Sequence, residues 1–379
     1  MCEVHQTDFF GYGSIDNIFE ILKERHFSRL FLVADRASFG ACGAEAALEA
    51  MMKECTVCLF TEFEPNPRFE DVKKGMAVFR QGDYDAVLAV GGGSVIDMAK
   101  LITIFAPHSE SPELLITKKI SLIPREIPLI AVPTTAGTGS EATHFAVVYM
   151  NRTKYSVADE SMLPDYAVID PALTLSMPAR ITAATGLDAL SQGIESYWSV
   201  HSTDESLESA EGAIRLAIDN LKNAVLSPDR QNRENMARAA HLAGKAINIT
   251  KTTAPHAFSY YLTEEYHIPH GHAVGLTLGF FIVYNNLVNE NDAADRRGHE
   301  FVKQTIRSLL GFLHVQTAFE AREKINGIMK DIGLETDLRT IGLKTEKDFD
   351  AWLSNVNLER LANNPRRVEK STIREMLFA

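Results

Sequence analysis

Up to about residue 171 this chain alternates short apolar runs with segments of helical periodicity, and beyond it only helical periodicity remains. That change of rhythm restricts the fold more than any other feature. Residues 29–35 read Arg-Leu-Phe-Leu-Val-Ala-Asp, an apolar run closed by a polar residue, as expected of a strand covered on both faces. Runs at 56–60, 86–90, 129–132 and 167–169 look alike, and helical spacing fills 44–54 and 69–80. Strands alternating with helices predict an α/β domain built on a doubly wound, mostly parallel, Rossmann-like sheet. Residues 183–197, 207–225 and 233–248 then open an all-α second half. The boundary falls near Pro178, dividing the chain into an α/β domain at 1–177 and a helical domain at 178–379, with no flexible linker or internal repeat.

A length of 379 residues exceeds the range in which one core keeps growing, so two domains are expected on size alone. The net charge of -12 opposes a phosphate backbone, and with no basic stripe or aromatic platform, nucleic acid is not expected as a partner. No run of about 18 apolar residues exists and residues 1–5 lack a basic leader, so a cytoplasmic protein without membrane contact is expected. Four cysteines are too few for a disulfide scaffold. Cys55 and Cys58 lie three apart in a strand-like run, on opposite faces, and read as buried structural thiols.

The run at 86–90 leads into Gly91-Gly92-Gly93-Ser94-Val95-Ile96-Asp97, with a helix expected from about Ser94. Glycines allow a pyrophosphate to approach the backbone, and a helix N-terminus offers free amides and a favourable dipole. This is neither a G-x-G-x-x-G fingerprint nor a P-loop. A second polar loop, with Thr134, Thr135, Thr138 and Ser140, follows the run at 129–132. Two such loops after strands are where an open α/β sheet binds its ligand. Asp35 closes the first strand, where a carboxylate accepts from a ribose and repels an added phosphate; that favours NAD(H), while Arg36 beside it keeps NADP(H) open.

In the second half Asp188 and Gln192 stand four apart in a helix and share a face. His256 is expected on another helix, and His270, between Pro269 and Gly271, at a loop or helix start. One carboxylate and two imidazoles suit a divalent cation, zinc or ferrous iron, with room for a substrate oxygen.

With these segments in order, the chain resembles the group III, iron-containing alcohol dehydrogenases over essentially its whole length. The matching text is the run from Gly91 to Asp97, the run from Pro133 to Glu141, Gly186-Leu187-Asp188-Ala189-Leu190, His256, Pro269-His270-Gly271 and Asn364-Pro365-Arg366. The resemblance implies a dinucleotide-binding domain followed by a helical metal-binding domain, an architecture shared with dehydroquinate synthase. It carries the family's four ligand positions onto Asp188, Gln192, His256 and His270, and matches Lys154 to a lysine near the cofactor. Homodimers are common in such proteins. Gln192 departs from the family's usual histidine; an amide oxygen is a weaker, neutral ligand, so iron affinity should fall. The related glycerol dehydrogenases hold zinc with an aspartate and two histidines, which this chain retains. Tyr260 stands where many relatives carry another histidine, and either donates a proton or lines the pocket.

Between Asn248 and His256, where relatives are apolar and glycine-rich, this chain has Ile249-Thr250-Lys251-Thr252-Thr253-Ala254-Pro255. A cation and hydroxyls beside a metal ligand point to a substrate with an anionic tail, held by Lys251, Thr252 and Thr253. The string is similar to that of the family's phosphonoacetaldehyde-reducing branch, which implies reduction of phosphonoacetaldehyde to 2-hydroxyethylphosphonate. Water, the cofactor ribose, Tyr260 or His272 remain as proton sources. Three readings stay open beside it: a dehydrogenase for another small alcohol, a lyase like dehydroquinate synthase, and a non-catalytic binding protein silenced at Gln192.

Overall fold

The structure is a computed structural model describing residues 6–151, 153–369, 371, 373 and 374. The N-terminal residues 1–5, read above, lie outside the described part. The chain forms two compact units, Met1–Met177 and Pro178–Ala379.

The first unit carries strands β1 (Thr7–Phe10), β2 (Arg29–Ala34), β3 (Thr56–Phe60), β4 (Ala86–Gly91), β5 (Leu129–Pro133), β6 (Phe145–Met150), β7 (Thr153–Ala158) and β8 (Tyr166–Ile169). Six of them make one sheet in the order β1-β8-β5-β4-β2-β3, and every pairing in it is parallel. Alternate residues of the apolar runs feed two separate cores. Phe31, Val33, Val87, Ala89, Leu129 and Ala131 pack on one face, and Leu30, Leu32, Leu88, Val90, Ile130 and Val132 on the other. Burial on both faces is why these runs are continuously apolar rather than alternating. Chain order reverses between β2 and β4, so a switch point lies where β4 runs into the glycine loop.

Several sequence expectations are corrected. The sheet gains β1, a short strand at the edge beside β8, so β2 is its second strand in chain order. β6 and β7 pair antiparallel as a hairpin, whose Ala146, Val148 and Met150 enter the core on alternate positions. The expected helix over 44–54 is two short pieces, Ala44–Ala47 and Glu49–Glu54, because Leu48 leaves helical geometry at ψ 3°. β3 is an edge strand and is not covered on both faces, which leaves Leu59 44% exposed. Cys55 and Cys58 sit on opposite core faces as expected, yet are half-buried for the same edge reason.

The described secondary structure of the second unit is helical, apart from one isolated bridge between Ala293 and Arg366. Its long helices are Ala179–Trp198, Asp204–Leu226, Arg230–Thr250, Ala254–Glu265, His270–Asn286, His299–Phe312 and Ala318–Asp331. Their starts are chemically marked: Thr203 and Thr317 form capping boxes with Ser206 and Glu320, and Asp229 accepts from the Asn232 amide. None of the described helices is long and apolar enough to cross a membrane.

Candidate functional site

Asp188 lies in the middle of the helix Ala179–Trp198, buried with Gln192 one turn on. His256 is in the first turn of Ala254–Glu265, and His270 is the first residue of His270–Asn286 after the cap Pro269. Three helices therefore deliver three side chains to one place. Asp188, His256 and His270 each offer a ligand atom within 4.8 Å of the others. The two imidazole centroids are 5.2 Å apart with their planes at 76°. His256 Nε2 and Asp188 Oδ1 are 3.4 Å apart. Metal bonds of ~2.1 Å in a tetrahedron give ligand separations of roughly 3.4 Å, so this pair has the spacing of two ligands sharing one cation.

The close approach of two helices makes the cluster. A Cβ on Gly271 would meet the Ala184 carbonyl oxygen at 2.0 Å and Asp188 Cβ at 2.7 Å, so only glycine lets the His270 helix lie this near Asp188. Gly275, one turn on, would meet Leu187 Cδ2 at 2.3 Å in the same way. Asn364-Pro365-Arg366 clasps the far end of that helix: Arg366 donates to the Tyr284 carbonyl and the Asp292 carboxylate, and Asn364 to Asn285 Oδ1.

Glu195 is a residue that sequence reasoning missed. It stands seven residues after Asp188 and three after Gln192, on the same helix face, and is fully buried. One oxygen accepts from the Thr253 amide at 2.9 Å, the Thr253 hydroxyl at 3.0 Å and the His256 amide at 3.3 Å; the other holds His256 Nδ1. Its spacing from Asp188 was the available signal. Burial would lower the His256 pKa, but Glu195 and Asp188 outweigh it and push the ring up to about 10, which marks the spot as one that favours a cation.

Thr253, expected at the substrate, is bonded within the framework. It is fully buried, and its hydroxyl donates to Glu195 while accepting from the Trp198 indole at 2.9 Å. Thr252 is buried and Lys251 half-buried. Lys251 has φ 61° and ψ 176°, a region almost reserved for glycine. The Tyr260 ring lies 6.0 Å from that of His270. His272 is directed to the Glu335 carbonyl, 2.7 Å from its Nε2, and burial lowers its pKa.

In the first unit Gly91 ends β4, Gly92 caps the helix Gly93–Phe105, and that helix begins one residue before the expected Ser94. The two polar loops pack together. A Cβ on Gly92 would meet Thr135 Cγ2 at 3.2 Å, one on Gly93 would meet Thr138 Oγ1 at 2.6 Å, and the Thr134 amide donates to the Gly91 carbonyl. Ser94 Oγ accepts from the Asn66 amide. Asp97 and Ser140, expected at the cofactor, bond to one another, and Asp97 also accepts from Val147 N at 2.9 Å; they brace the second loop. Burial raises the Asp97 pKa, and Lys100, the bonds from Ser140 and Val147 and, last, Lys154, opposite Tyr149 in the hairpin, oppose that rise. A second missed residue, Lys100, is fully buried and donates to the carbonyls of Ser140 and Thr143, both at 2.6 Å, and of Phe145 at 3.2 Å. Burial pulls its ammonium down to about 8, while Asp97 and Glu141 oppose that fall. A lone cation in an apolar helix was its signal. Asp35 is the N-cap of the helix Arg36–Ala41, accepting from Ser38 N at 2.7 Å, which occupies one of its oxygens.

The parallel sheet and the helical unit agree with the comparisons. Residues 6–171 match the model for iron-containing alcohol dehydrogenase, and residues 182–379 match the C-terminal model of the Fe-containing alcohol dehydrogenase family. The chain belongs to the iron-containing alcohol dehydrogenase family. It is 33% identical to a 1,3-propanediol dehydrogenase of Klebsiella pneumoniae over 98% of this chain and 96% of that one. It is likewise 33% identical to a phosphonoacetaldehyde reductase of Streptomyces viridochromogenes, over 77% and 75%. A crystal structure of sulfoacetaldehyde reductase from Bifidobacterium kashiwanohense in complex with NAD+ superposes with a TM-score of 0.88 at 29% identity, covering 98% of this chain and 96% of that one.

Proposed function

We propose that this protein reduces a short aldehyde bearing an anionic tail, phosphonoacetaldehyde, to 2-hydroxyethylphosphonate at the expense of NADH. The observation that carries the reading is Lys251, a lysine in a backbone conformation suited to glycine, five residues before His256. Strain of this kind costs about 1–3 kcal/mol and persists where surrounding structure requires it. Relatives acting on a phosphonate and on a sulfonate aldehyde support an anionic substrate.

Asp188, His256 and His270, with Gln192 beside them, would hold a divalent cation, iron or zinc. Such an ion, when bound, polarises a carbonyl oxygen and stabilises the developing alkoxide. Lys251 and Thr252 fix the anionic end, so the carbonyl is presented in one orientation. The amides at the start of Gly93–Phe105, with Thr134, Thr135 and Thr138 packed against the glycines, receive the cofactor's pyrophosphate. Asp35 keeps one oxygen for a ribose hydroxyl, which favours NAD(H) over NADP(H). Tyr260, next to His270, is the side chain suited to deliver a proton to the product oxygen.

The test is oxidation of NADH, with NADPH in parallel, by metal-reconstituted protein offered phosphonoacetaldehyde, propanal or lactaldehyde. A kcat/KM at least about tenfold higher for the phosphonate is expected, since charge-assisted bonds contribute roughly 1.5–3 kcal/mol. Equal turnover of neutral aldehydes would instead assign a dehydrogenase of simple alcohols.

A further inference from the structure

We propose that Glu195 is a positioning residue: it fixes which nitrogen of His256 faces the metal position and ties that ring to the segment carrying Lys251. The inference rests on the metal reading of Asp188, His256 and His270. Thr253, the N-cap of Ala254–Glu265, makes no side-chain cap bond of its own. The carboxylate of Glu195, from a neighbouring helix, takes that role by accepting from the Thr253 and His256 amides. Its charge also sits at the positive end of the helix.

Capping needs only the first oxygen. The second is spent on His256 Nδ1. An ionised carboxylate only accepts, so it keeps a ring proton on Nδ1 and makes Nε2, 3.4 Å from Asp188 Oδ1, the nitrogen whose proton a cation would displace. That is the outer partner a metal-bound histidine requires. Because the same carboxylate also accepts from the Thr253 hydroxyl, it sets the ligand ring and the residues after Lys251 from one point.

Glu195→Gln tests this. An amide oxygen can keep the capping bonds, but the amide nitrogen then faces Nδ1 as a second donor, which drives the ring proton to Nε2. Zn2+ affinity, measured by competition with a chromophoric chelator on protein shown folded by circular dichroism, should fall about 10- to 100-fold. Thr253→Val removes one bond to the same carboxylate without touching the ring, and should change that affinity by less than about threefold. If Glu195→Gln binds Zn2+ like wild type, or if Thr253→Val weakens it equally, Glu195 is only a cap and the proposal fails. Should Glu195→Gln not fold, Glu195→Asp keeps the acceptor but withdraws it by one methylene; weakened Zn2+ binding supports the proposal and wild-type binding overturns it. Wild type and Asp188→Ala binding Zn2+ alike would sink the metal reading itself, separately from Glu195.

Discussion

Gly271 touches Asp188: a single added carbon on the glycine would lie 2.7 Å from the aspartate Cβ and 2.9 Å from its backbone nitrogen. The contact places two helix backbones side by side and brings His270, the preceding residue, to the metal cluster. Because the obstructing atoms include backbone, no rotamer change relieves a clash. Gly271→Ala should therefore cost at least about 2 kcal/mol of stability and lower bound metal after dialysis. A thermal melt and metal analysis would check both; a variant with wild-type melting and stoichiometric metal would show that the helices can part without harm.

Lys251 separates stability from function. Lys251→Gly removes the penalty of φ 61°, ψ 176° but adds chain entropy, so stability should range from unchanged to about 2 kcal/mol higher. The same change removes the charge, and KM for phosphonoacetaldehyde should rise at least about tenfold. Lys251→Ala keeps the strained backbone and should lose the same affinity without the gain in stability. Denaturant melts and steady-state kinetics on the two variants distinguish these effects.

How much was legible depends on the kind of interaction. Doubly buried strands such as β4 and β5 write themselves as continuous apolar runs, and the clustering of Asp188, His256 and His270 followed from residue type and order. The hairpin β6–β7 was not read, although Ala146, Val148 and Met150 alternate inward, because the intervening Val147 and Tyr149 are also apolar and blur the period. Lys100 and Glu195 were overlooked for a common reason: each is a charged residue bonded to groups distant in sequence, and several of those groups are backbone, which carries no letter. The bond of the Thr253 hydroxyl to Glu195 was equally hidden, because the two residues are 58 positions apart.

Lys100 holds the loop after β5 by its carbonyls, so its loss should be felt by the cofactor. Lys100→Met leaves the carbonyls of Ser140, Thr143 and Phe145 without this donor and removes the nearby cation from Asp97. A buried group left unsatisfied costs about 1–3 kcal/mol. KM for NADH should rise at least about fivefold while kcat at saturating cofactor changes less. A fall in kcat alone would contradict a role confined to the loop.

Asp85 gives a pH dependence remote from the site. Arg29 and the amides of Ser28 and Arg29 bond to its carboxylate and hold its pKa down at about 2, with burial acting in the opposite direction. Because the folded value lies below the unfolded one, the stabilisation is fully present above pH ~4 and is lost as pH falls through about 2. Solvent screening of the neighbouring charges keeps it on the order of 1 kcal/mol. Asp85→Asn should be less stable at neutral pH by about that amount, and the difference from wild type should shrink between pH ~4 and ~2. Urea melts of both proteins across that window would show the two stabilities converging; parallel curves would mean that Arg29 does not discriminate between the charged and neutral carboxyl.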